Sequence, residues 1–217
     1  MNLRFRFLLI VLGAGLVIAT FTFPQWLPLL PSDQETFPFP ELDPAFHAAF
    51  NALPIERQQD YLRLRNENLI LTLDMINSAL LPDVVVPPEA QTLPNIQGQV
   101  EIFTTEFEPI SVNRSASGTV RVFELPDGSQ YLWFEEFSAI QAPDMRVYLS
   151  RNSTFSLEDL DEDEELTLTV EDVFLGRVSA NVGNQRFDIP RENDLSTYNS
   201  VMLFSDDLQL VYAIADL

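Results

Sequence analysis

The chain contains no cysteine, no lysine and a single histidine. Without cysteine there is no disulfide framework, no thiolate metal site and no thiol nucleophile. Without lysine there is neither Schiff-base chemistry nor a phosphate-loop lysine. One histidine, His47, excludes any site that takes two imidazoles from one chain. Serine is plentiful, but it lacks the partners that a serine nucleophile needs. These absences predict no catalytic residue and no enzyme.

What is present is acid. Asp and Glu number 33 against 12 basic residues, all arginine, for a net charge of -21. Such a field repels phosphate backbones, which excludes nucleic acid as a partner, and it favours solubility and cation binding. Apolar residues make up 46%, enough for a core, and 217 residues allow one ordinary domain with appendages or two small ones.

Arg4 and Arg6 precede an uncharged run from Phe7 to Phe23. Extended back to Phe5, that run spans about 28 Å as a helix, close to the hydrocarbon thickness of a bilayer. Residues 1–24 therefore read as an N-terminal membrane anchor or as a signal segment cleaved near Val17-Ile18-Ala19. Uncleaved, residues 5–23 give a single-pass attachment to the cell membrane. The arginines stay on the cytoplasmic side, and the rest of the chain lies outside the cytoplasm, periplasmic or extracellular.

Residues 25–43 form a Pro-rich spacer, and Asp43-Pro44 looks like an N-cap followed by proline at the first helical position. The helical segment, residues 44–81, carries one apolar stripe through Ile55, Leu62, Leu69, Leu73, Ile76 and Leu80. That stripe packs on the β domain, pairs in a helical hairpin or dimerises. Residues 82–96 read as a second Pro-rich linker.

From residue 97 to 217 the period changes to alternation, with eight candidate strands. Asp127-Gly128 is a hairpin signal between two of them, and the last two turn at Asp206-Asp207. The expected fold is mainly β, an antiparallel β-sandwich or barrel-like domain, preceded by the membrane helix and the short α-helical segment.

Candidate sites are few. Asp159, Asp161 and Asp163 alternate like the start of a calcium loop. The pattern then fails, because Glu164 stands where glycine is needed and Val170 where a bidentate glutamate is needed. The run reads as a solvated acidic loop with a weak calcium site as the alternative. Glu135 and Glu136 are adjacent in a strand and point to opposite faces, so they do not share a substrate. Asn113-Arg114-Ser115 and Asn152-Ser153-Thr154 fit the glycosylation acceptor pattern.

A set of blocks then occurs in a fixed order: S-G-T-V from Ser117, L-W-F-E-E-F from Leu132, P-D-M-R-V-Y-L-S from Pro143, L-G-R-V from Leu175, G-N-Q-R-F-D-I-P from Gly183 and S-V-M-L-F-S from Ser200. Together they resemble the DM thirteen domain family, also called the electron-transfer DM domain. The resemblance implies a redox role carried by a Trp-Cys pair, and the matching positions here are Phe204 and Ser205. A serine hydroxyl forms no sulfenic acid and no disulfide. The expectation is thus a non-enzymatic, membrane-tethered binding or interaction module. Its partner is an unidentified protein, glycan or cation, it has no cofactor, and Ser205 occupies the family's redox position. The alternative is a redox or electron-transfer protein using a bound cofactor such as haem, for which His47, Met145 and Met202 are the available ligands.

Overall fold

The structure is a computed structural model, which describes residues 37–154 and 166–217. Phe39–Leu217 forms one compact unit that carries every element described below. The anchor or signal segment of residues 1–24 and the acidic run with Asp159, Asp161 and Asp163 lie outside the described residues. Among the described residues, no helix is long and apolar enough to cross a membrane.

Three helices come first: α1 (Pro44–Asn51), α2 (Ile55–Glu67) and α3 (Leu69–Ala79). Asp43 caps α1, its side chain accepting from the Ala45 N–H, with Pro44 next. The apolar stripe predicts one helix from Pro54 to Leu80, but the helix breaks at Asn68. That residue is extended, with φ -151°, and its side chain accepts from the Leu71 N–H to start α3. Asparagine offers the backbone this local bond, and capping wins over continuation.

Nine strands follow: β1 (Val100–Glu106), β2 (Glu108–Pro109), β3 (Ala116–Glu124), β4 (Gln130–Ala139), β5 (Met145–Ser150), β6 (Val173–Arg177), β7 (Gln185–Ile189), β8 (Ser200–Ser205) and β9 (Leu210–Asp216). They build two antiparallel sheets, ordered β1-β3-β4-β7 and β2-β9-β8-β5-β6. The chain passes from the first sheet to the second through Phe107, between β1 and β2. At the opposite edge the two sheets meet where Gly176 of β6 lies against the Phe187 ring of β7. A side chain on Gly176 would begin 3.2 Å from that ring, so glycine lets the layers close.

That contact fixes which faces are inward. Gly176 is in register with Val147, and Val147 with Leu203, so these face the first sheet. From the first sheet, Phe134 and Phe187 face back, joined by Phe107 and Phe137. The outer face of the second sheet is buried as well: Tyr148, Met202, Phe204, Val211 and Ile214 pack with Leu166. Burial on both sides explains why β8 and β9 read as continuous apolar runs rather than alternations.

Residues 82–96 lie along the sandwich. The Val86 N–H donates to the Val182 carbonyl at 2.9 Å, and Val84 N–H donates to Asn181 Oδ1 at 2.7 Å. Leu93 packs on the outer face of the first sheet against Phe123, Tyr131 and Trp133.

The helices meet the sheets around a buried polar junction. Asn113 is 1% exposed. Its Nδ2 donates to the Arg57 carbonyl and to Asp60 Oδ2, and its Oδ1 accepts from Arg57 Nε. The side chain that the local motif marks as a glycan acceptor is therefore a clamp between α2 and the β2–β3 loop, closed to any modifying enzyme.

Tyr61 of α2 and Tyr212 of β9 are both buried in this region, and burial pushes both phenols above their usual range. A folded value raised above the unfolded one contributes stability that is fully present below about pH 10 and is lost as pH rises through the folded value. The melting temperature should thus hold flat to roughly pH 9 and fall above about pH 10. Thermal melts should show a shallower alkaline fall for Tyr212→Phe than for the parent; identical slopes would remove Tyr212 as the cause.

Candidate functional site

Ser205 ends β8 on the inward side, two residues beyond Leu203, opposite Met145 of β5 and Leu210 of β9. It is fully buried. Its hydroxyl donates to the Pro143 carbonyl at 2.6 Å and accepts from the Leu208 N–H at 3.4 Å. The hydroxyl thus pins the residues before β5 to the turn that follows β8. The next residue repeats the link, with the Asp206 N–H donating to the Asp144 carbonyl at 3.1 Å. Asp144 takes a positive φ of 42° and Gln209 one of 57°, so the chain folds tightly on both sides of the serine.

Outside this buried serine lies a charged cluster. Arg146 Nη2 reaches Asp144 Oδ2 at 2.5 Å and Asp206 Oδ2 at 3.0 Å, and Arg177 Nε reaches Asp144 Oδ1 at 3.2 Å. The hydrogen bond from Arg146 holds the Asp144 carboxyl below its ordinary range, and the same pairing raises Arg146. The Arg146 guanidinium also sits 5.7 Å from the centre of the Phe174 ring. Both carboxylates are engaged by guanidinium groups, which leaves neither as a free base for proton transfer. A cleft of about 280 Å³ opens beside the cluster, lined by Asp144, Met145, Arg177 and Ser179. Ser205 is not among its walls.

The ligands that a haem would need are not brought together. Met145 is in register with Ser205 and Met202 with Tyr148, three positions away, so they leave opposite faces of one sheet. His47 is on α1, its Nε2 within 3.0 Å of the Leu42 carbonyl. Among the described residues, no group of three or more His, Asp or Glu side chains is placed to hold a metal ion.

Glu135 and Glu136 do not form a carboxylate pair. Glu135 is bound to Arg121 Nη2 at 2.5 Å. Glu136 is the extra residue of a bulge opposite Gly118, with φ 51° and its N–H donating to Asn184 Oδ1 at 2.8 Å. The second acceptor motif ends at Thr154, whose N–H donates to Asp216 Oδ1 at 2.9 Å.

Sequence reasoning missed the Asp144–Arg146–Arg177–Asp206 cluster. Asp144 and Arg146 are two residues apart in the P-D-M-R block, a visible signal, but Arg177 arrives from β6 and Asp206 from the turn after β8.

Residues 95–217 match the family model described as Electron transfer DM13. No curated protein and no solved structure matches the chain.

Proposed function

The chain belongs to the electron-transfer DM13 family, and from that premise we propose that it uses the family's β domain as a non-enzymatic binding module, silent at the redox position. The observation that supports this reading is the Ser205 hydroxyl, buried and committed to the Pro143 carbonyl where the family expects sulfur. An alcohol there can hold the turn but cannot cycle between thiol and disulfide.

The uncharged run after Arg4 and Arg6 supports a tether. In this reading residues 5–23 cross the cell membrane once and the β domain stands outside the cytoplasm. Its partner is a protein, a glycan or a cation. The alternative, electron transfer through a bound cofactor, draws on the family name and on Met145 in the cleft beside Ser205.

One preparation separates the two. The full chain is extracted from membranes with detergent, and its absorbance spectrum and voltammogram are recorded with and without added haem. The expected result is recovery in the membrane fraction, with no visible chromophore and no reversible couple. A haem band or a reversible couple in the parent protein would overturn the proposal, as would recovery of the intact chain from the cytosol.

A further inference from the structure

β1 is an anomaly for a strand of a sandwich. All of its residues except Thr105 are exposed, including Val100 at 59%, Ile102 at 44% and Phe103 at 38%. Among the described residues β1 has one partner strand, β3, so its other edge is open. Open edges are usually blunted with lysine, proline or a bulge. The chain has no lysine, and β1 has no proline.

The bulge is present but works the other way. Glu101 pairs with Phe123 and Phe103 with Val122, which leaves Ile102 as the extra residue. A bulge turns two neighbouring side chains toward the same side. Ile102 and Phe103 accordingly both line one cleft of about 630 Å³, with Leu195, Tyr198 and Leu217 among its other walls. Ile102 and Phe103 thus stand exposed on the wall of this cleft.

We propose that the open edge of β1 is a strand-addition site for an extended, cationic segment of a partner protein. An added strand would pair with the free backbone groups of β1 and send alternate side chains into the cleft. Charge selects the occupant. Glu101 and Glu106 lie on β1, Asp127 on the β3–β4 turn, and Asp194 on the cleft wall. Two arginines pair at this rim, Arg121 with Glu101 and Glu135 and Arg191 with Asp127, so five carboxylates with Glu135 included stand against two guanidinium groups and acid remains in excess. A second copy would bring -21 against -21 and set Glu101 and Glu106 of each edge against the other. Basic side chains alternating with apolar ones meet both requirements. The inference rests on the reading of the domain as a binding module and names the class of partner.

The test uses the detergent-solubilised full chain and a fluorescent peptide in which arginine alternates with valine or phenylalanine. One comparison peptide carries N-methyl groups at alternate positions, keeping charge and side chains but losing edge hydrogen bonds. Another replaces arginine by glutamate. The first peptide should bind in a salt-sensitive manner, and both comparison peptides should bind at least about tenfold more weakly. Phe103→Arg should weaken binding by a similar factor, whereas Ile70→Arg, on an exposed helical position, should leave it unchanged. If Phe103→Arg does not fold, amide exchange decides in the parent protein, with residues 100–105 gaining protection when peptide is added. Equal binding of the N-methylated peptide overturns the proposal, as does binding unaffected by Phe103→Arg. Protection of β1 that grows with protein concentration alone would assign the edge to a second copy and overturn it too. Loss of the peptide result with redox silence and membrane recovery intact would remove this site and leave the binding-module reading standing.

Discussion

Gly118→Ala should destabilise the domain by about 3 kcal/mol or more, read as a fall in the urea midpoint with an unchanged slope. Gly118 sits in β3 at φ +114°, where a side chain is strained in any surroundings. A Cβ there would lie 2.7 Å from the Glu135 carbonyl oxygen, 2.8 Å from Phe137 Cα and 2.9 Å from the Glu136 carbonyl oxygen. All three atoms are backbone, so no side chain can rotate away. The register between β3 and β4 shifts at this point, from Ser117↔Ser138 to Thr119↔Glu135, and the bulge carries Glu136. Glycine is what allows the two strands to pass there. Gly128→Ala is the comparison. It shares a positive φ of 77°, but a Cβ would meet nothing within 4 Å. It should cost only about 1 kcal/mol, the backbone strain alone. Equal costs at the two positions would refute the steric account.

Phe134→Ala should cost about 3–5 kcal/mol by the same measurement. The ring is fully buried on the inward face of β4. Its centre lies 5.0 Å from the ring of Phe107, 5.3 Å from Phe137 and 4.9 Å from Phe187. Truncation removes apolar contact and leaves a cavity that three neighbouring rings, held by their own backbone positions, fill only in part. The Phe107 ring stands perpendicular to Phe134, an edge-to-face pairing that adds to the burial. Phe103→Ala, on the exposed edge strand, should change stability by less than about 1 kcal/mol. A small effect at Phe134 would show that the core sits elsewhere.

How much of this was legible depended on how local the cause was. The hairpin at Asp127-Gly128 was readable because a few residues make it. Leu125 N–H donates to the Ser129 carbonyl, Gly128 takes φ +77°, and Asp127 Oδ1 accepts from Ser129. The strands around it were readable because alternation follows directly from one buried face. β2 was not, being two residues long and defined only by pairing with Ile214 and Ala213, about a hundred residues away. The break at Asn68 competed with an apolar stripe that runs on through it, and a single side-chain bond decided the outcome. The motif at Asn113 shows the limit most plainly. The three residues are correct for a glycan acceptor, but α2 folds over them and takes the side chain for itself. At the candidate site, Ser205 was identified by resemblance, whereas its burial and its bond to Pro143 depend on two strands brought together by the sheet.

The serine at the end of β8 has one more consequence. With oxygen at that position and no cysteine in the chain, the domain has no atom through which a partner could be captured by a sulfur–sulfur bond. Any thiol-mediated crosslink to this molecule is chemically closed, in oxidising and reducing surroundings alike. A partner that docks on it can leave again at a rate set by its contacts.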